Sequence, residues 1–89
     1  MKGSQDEALK LRLKKMIIDE CEKEEIAPEE IADDAGLFSE ASILELDSLD
    51  ALQIAVGLQN RFGVRLADPK AFRRVVTTIN DLADFIQPQ

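Results

Sequence analysis

The sequence contains no histidine, no tryptophan, no tyrosine and a single cysteine. Without histidine, the commonest general base and a common metal ligand are missing. Neither a Ser-His-Asp triad nor an ordinary zinc site can be built from this chain. The absence of Trp and Tyr removes the usual stacking platforms for single-stranded nucleic acid. A net charge of −7 repels phosphate backbones as well, so nucleic acid is not an expected partner. Cys21 cannot form an internal disulfide, which suits a reducing compartment. No apolar run approaches the ~18 residues of a membrane span. Met1-Lys2-Gly3-Ser4-Gln5 leads into a charged helix without a signal-peptide core. The expectation is a cytoplasmic monomer with no membrane span.

What is present fits one small helical domain, residues 1–89. The hydrophobic fraction, 45%, is enough for one core, although a chain of this size buries only about 60–65% of its unfolded surface. The charge is segregated: residues 1–18 carry net +3, residues 19–50 net −12 and residues 51–89 net +2. The acidity lies in the end of the first helix, the connection after it and the approach to Ser48.

The chain is organised around Leu46-Asp47-Ser48-Leu49-Asp50 and the helix these residues open, which runs to about Phe62. Asp47 is a good N-cap, and Asp50 stands where a capping box places its acid. Ser48 is then the first helical residue, at the positive end of the helix beside N–H groups with no partner inside it. A phosphate attached there is electrostatically favoured. Leu52, Ala55, Leu58 and Phe62 share one face, read as the core side, with Ile54 on its flank. Leu49 and Val56 lie about 130° away, among Asp50, Gln53 and Asn60, at about 100° per residue. Two exposed aliphatics beside the serine read as a docking surface. Gly57, inside this helix at a cost of ~1 kcal/mol relative to Ala, falls on the exposed side.

Residues from about Asp6 to Glu24 read as the first helix, with Leu9, Leu13, Met16, Ile17 and Cys21 inward and Lys10, Lys14 and Lys15 outside. Cys21 reads as a small buried hydrophobe whose acidic neighbours raise its pKa. Residues 25–46 form a long connection broken by Pro28 and turned by Gly36. Ile26, Ile31, Leu37, Phe38, Ile43 and Leu46 are its expected anchors, with a helical turn within Ala41–Glu45. Its acids do not match an EF-hand, because counting from Gly36 puts Ile31 first and Ser42 twelfth. Asp33, Asp34, Glu40, Asp47 and Asp50 offer weak divalent binding at most. Asp68-Pro69 starts a short third helix to about Arg74 or Val75. Thr78 caps the last helix in a box with Asp81, and Leu82, Phe85 and Ile86 form its apolar face. The expected architecture is an all-α four-helix bundle: three main helices, a short third helix and a long first connection.

These segments, in this order, resemble an acyl carrier protein. Leu13-Lys14-Lys15-Met16-Ile17 resembles the family's first helix, Phe38 the aromatic of its long loop and Leu46-Asp47-Ser48-Leu49-Asp50 its attachment motif. Phe62-Gly63-Val64 resembles the end of its second helix, and Thr77-Thr78-Ile79-Asn80-Asp81-Leu82 the start of its last. The resemblance implies that Ser48 carries a 4′-phosphopantetheine arm taken from coenzyme A, which holds acyl groups as thioesters. It implies a non-enzymatic carrier modified by a phosphopantetheinyl transferase and used by acyl-loading and acyl-processing enzymes such as synthases or ligases. Asp47, Leu49 and Asp50 would flank the arm, and Leu49, Asp50, Gln53, Val56 and Asn60 would meet partners. The family's second helix is strongly acidic outside; here Gln53, Gln59 and Asn60 are neutral, Arg61 is basic, and Lys70, Arg73 and Arg74 follow. That departure admits a specialised lipid, polyketide, D-alanyl or peptidyl carrier beside a fatty-acid one. An unmodified helical interaction module is the alternative of a different class.

Overall fold

Asp6 sets the start of the first helix, its Oδ1 accepting from Leu9 N at 3.2 Å. In this computed structural model, which describes residues 1–38, 46–64 and 77–88 (Ser48 by its backbone), α1 spans Glu7–Glu20. Leu9, Leu13, Met16, Ile17 and Ile18 are buried along it. The helix ends four residues earlier than its periodicity suggests. Lys23 N donates to Ile18 O at 2.9 Å and Glu22 N to Asp19 O at 3.4 Å, a Schellman turn. Glu22 occupies the left-handed position at φ 55°, where glycine is usual.

Residues Ser48–Phe62 form α2, closed by Gly63 at φ 67°, and Ile79–Ile86 form α3. Among the described residues every regular element is helical, as the sequence suggests. The short helix expected from Asp68, and the turn expected within Ala41–Glu45, lie outside the described residues, as do Ile43 and Glu40.

The phase of α2 differs from the sequence reading. Ala51, Ile54, Ala55 and Leu58 are buried, whereas Leu52 is 45% exposed. Gly57 is buried too, not exposed: a Cβ there would meet Glu20 Cγ at 2.9 Å and Met16 Sδ at 3.0 Å. Gly57 lies against Met16 and Glu20 and lets α1 come close on that side, while Leu52, about 140° around the helix, is turned outward. Arg61 is no free surface cation. Its guanidinium reaches Asp19 at 3.4 Å and Glu20 at 3.3 Å on α1, and Arg12 stacks 4.8 Å from the Phe62 ring centre.

The long connection is held from two sides. Pro28 opens a 3-10 turn, Pro28–Glu30, and Ala27 N donates to Glu30 Oε2 at 3.1 Å. Ile31, Leu37 and Leu46 are buried, with Ile26 and Phe38 half-buried against the same core. Asp33 accepts from Lys10 Nζ at 2.9 Å and pairs with Lys14 Nζ at 2.7 Å. Lys10, expected outside, is therefore buried, and Glu7 pairs with it at 3.1 Å. The Asp33 backbone also binds α3, accepting from Asn80 N at 3.0 Å, and Leu37 N donates to Thr77 O at 2.8 Å.

Thr78 caps α3, accepting from Asp81 N at 3.1 Å. The return half of the expected box goes elsewhere: Asp81 Oδ2 accepts from Thr77 N at 3.2 Å and Thr77 Oγ1 at 2.7 Å. Ile79, Leu82 and Ala83 are buried, while Phe85, expected inward, is 38% exposed. The N-terminal 3-10 turn Gly3–Gln5 closes over the far end of α3. Gly3 N donates to Gln87 O at 2.7 Å and Ser4 N to Asp84 Oδ1 at 2.8 Å.

Candidate functional site

The start of α2 is built by two aspartates. Asp50 N donates to Asp47 Oδ1 at 3.0 Å, and Asp47 N donates to Asp50 Oδ2 at 3.1 Å. This is the closed capping box expected from the sequence. The Asp50 backbone N–H holds the Asp47 carboxyl below the usual carboxylate range. With Asp47 at the cap, Ser48 is the first helical residue, where the helix dipole is positive. Its chain neighbours are open to solvent, Leu49 being 63% exposed and Asp47 exposed. A covalently attached phosphodiester fits here: the backbone places Ser48 at a positive helix end, between exposed residues that leave room for a second protein to reach it.

Beside this turn lies a cleft of about 280 Å³ lined by Glu20, Cys21, Glu22, Leu49, Asp50 and Gln53. Cys21 is half-buried, and its thiol points at the Asp50 carbonyl oxygen, 3.9 Å away. Burial foremost, then the Asp50 carboxylate, pushes this thiol up to about 12. It is thus a thiol and not a thiolate at neutral pH. The sequence reading expected the burial and credited Glu20 and Glu22, but missed the approach of Asp50 from α2.

The other expected contact residues, Gln53, Val56 and Asn60, are all exposed on α2, Val56 at 42%. Leu52 joins them, a residue the sequence reading assigned to the core. The signal that could have found it is Gly57, whose missing side chain marks where α1 comes close. Of the five carboxylates read as a weak divalent site, Glu40 lies outside the described residues. Asp33 is engaged by two lysines, Asp47 and Asp50 are engaged with each other's backbone, and Asp34 is exposed. Among the described residues no group of three Cys, Asp or Glu is placed to hold a metal ion. Among the same residues no helix is long and apolar enough to cross a membrane.

Comparison with known proteins gives two findings. The family model described as phosphopantetheine attachment site matches residues 12–86. Over 59 residues the chain is 32% identical to the chloroplastic acyl carrier protein of Brassica napus, covering 64% of this chain and 42% of that protein. The matched stretch is thus less than half of that relative's length. No solved structure matches.

Proposed function

The chain belongs to the phosphopantetheine-attachment family, whose members take 4′-phosphopantetheine covalently, and on that premise we propose that Ser48 is the attachment residue of a carrier protein. The observation that supports this most directly is the closed Asp47–Asp50 box, which fixes Ser48 at the first position of α2. When bound, the arm supplies a terminal thiol on which acyl groups are held as thioesters. The protein's own residues act as a handle. Asp47 and Asp50 order the first turn, and the helix dipole offsets the charge of a phosphodiester. Leu49 stays open to the enzymes that come to this turn. With no histidine in the chain, activation of the serine hydroxyl falls to a separate phosphopantetheinyl transferase.

The cargo is an acyl group for fatty acid, specialised lipid or polyketide synthesis, or alternatively a D-alanyl or peptidyl group. The neutral residues Gln53, Gln59 and Asn60 on exposed α2 favour a specialised pathway over general fatty acid synthesis. The chain works as a non-enzymatic monomer with loading and processing enzymes such as synthases or ligases.

Intact mass after incubation with coenzyme A and a broad-specificity transferase tests the reading. The wild type should gain one arm, and Ser48→Ala, with helicity unchanged, should gain none. A gain that persists in Ser48→Ala would move the arm elsewhere. No gain in either protein, with an authentic carrier loaded in parallel, would favour an unmodified interaction module.

A further inference from the structure

The cleft beside the first turn of α2 is built by two elements at once. α1 ends early in its Schellman turn, with Glu22 in the left-handed position at φ 55°. That turn sets Glu20, Cys21 and Glu22 against Leu49, Asp50 and Gln53, around about 280 Å³ of open space. The Cys21 thiol, 3.9 Å from the Asp50 carbonyl oxygen, marks how close the two walls come. The walls are chemically mixed. Leu49, Gln53 and Glu22 are all exposed. The Glu20 carboxylate lies 3.3 Å from Arg61 and Asp50 closes the capping box, whereas Glu22 makes no ion pair among the described residues.

We propose that this cleft receives the pantetheine portion of the arm attached to Ser48, so that the carrier holds its own arm against the end of α1. The proposal rests on the carrier reading above and deepens it. Continuity fixes the occupant: Leu49 and Asp50 follow Ser48 directly and form one wall, so a group tethered at Ser48 starts one residue from the cleft. Charge fixes which part enters. Glu20, Glu22 and Asp50 repel the phosphodiester, which stays at the positive end of α2. Beyond the phosphate the arm is uncharged. It carries amide N–H and hydroxyl donors, for which the Glu22 carboxylate and the Gln53 amide oxygen are acceptors, and a branched hydrocarbon segment suited to Leu49. Cys21, a neutral thiol, adds no charge to the cleft. Tethering makes a weak contact sufficient, because a short flexible linkage supplies a millimolar effective concentration.

The test exploits Cys21 as the sole cysteine of the chain. A broad-specificity transferase loads the folded protein from S-methyl coenzyme A, whose arm has no free thiol, and intact mass checks the loading. Iodoacetamide in mildly alkaline buffer then reports on Cys21 alone. An arm that binds the cleft with millimolar affinity occupies it about half the time, so alkylation should slow by about twofold or more against the unloaded protein. In urea the two should react alike. Backbone amide shifts should change at Glu20, Cys21, Glu22 and Gln53, and not at Ile26 and Ala27, which line a separate cleft of about 340 Å³ with Lys15 and Ile18 of α1. Equal alkylation of the two folded proteins, a difference that persists in urea, or shift changes that spare Glu20, Cys21 and Glu22 would overturn the proposal, while the mass gain kept the carrier reading intact. Failure to gain the arm, with an authentic carrier loaded in parallel, would overturn both.

Discussion

Replacing Asp33 by asparagine removes the charge that holds the long connection to α1. Lys10 has a side chain only 5% exposed and sits 2.9 Å from Asp33 Oδ2; Lys14 sits 2.7 Å from Oδ1. In Asp33→Asn the only carboxylate left within ion-pair distance of Lys10 among the described residues is Glu7, whose side chain is 81% exposed. Breaking a fully buried pair from one side costs about 3–5 kcal/mol. The Asp33 side chain is itself 31% exposed, so solvent screening reduces the loss to about 2 kcal/mol. In a domain of this size that lowers the melting temperature by about 8–16 °C at neutral pH. The pH dependence has a definite sign. The two lysines hold the Asp33 carboxyl below its ordinary value, so its contribution is complete above the ordinary carboxylate pKa, about 3.9, and is lost as pH falls through the lower folded value. Asp33 first, opposed by burial, raises Lys10; that contribution is complete below the ordinary lysine pKa and is lost as pH rises through the folded value. Wild type and variant should therefore differ across the neutral range and converge in acid. Thermal denaturation followed by circular dichroism at several pH values provides the assay. Lys10→Met placed on top of Asp33→Asn should recover part of the loss, because the unpaired buried charge is then gone. A variant melting within about 2 °C of wild type at neutral pH would refute the reasoning, since a 2 kcal/mol loss requires more.

Two further predictions concern α1 and its seam with α2. Glu22→Gly should stabilise the protein by about 1 kcal/mol, because it relieves a left-handed residue in a turn whose hydrogen bonds are unchanged; urea titration would show a higher midpoint at constant slope, and a lower midpoint would count against the strain. Gly57→Ala should fall well short of the ~1 kcal/mol gained by a free helical Gly→Ala change, since the methyl presses on Met16 and Glu20. Gly57→Leu should cost about 1–3 kcal/mol by forcing α1 and α2 apart, and the same urea titration would reveal a tolerated leucine as a sign that the seam is looser.

Features fixed by neighbours in the chain were legible in the sequence. The Asp47–Asp50 box is settled within four residues, as is the Thr78 cap, and so the place of Ser48 could be read directly. Features fixed by distant partners were not. Nothing near Lys10 announces that Asp33, far along the chain, will cover it, and nothing near Arg61 announces Asp19 and Glu20. Gly3 is the same case: it packs so closely against the Ala83 carbonyl that a Cβ would overlap it, and the first five residues alone give no hint of that contact. The phase of α2 failed for a subtler reason. Counting apolar residues favours Leu52 as a core position, because hydrophobicity alone is blind to how near the next helix comes.

That one error bears on function. At the seam, volume decides: Gly57 permits a close approach of Met16 and Glu20 on α1, and Leu52, about 140° around the helix, is left on the outside next to Leu49 and Val56. The two surfaces of α2 are thus one consequence of one packing choice. Gly57 toward α1 shapes the inner face. The same rotation lines up three aliphatics on the outer face, starting beside Ser48. A large residue at position 57 would force α1 and α2 apart or turn α2 to a new phase. In either case the capped serine could persist while the side chains presented next to it changed. The place of Ser48, the proposed attachment residue, and the exposed aliphatics beside it are therefore set by different physics: the first by hydrogen bonds within a single helical turn, the second by the closeness of two helices.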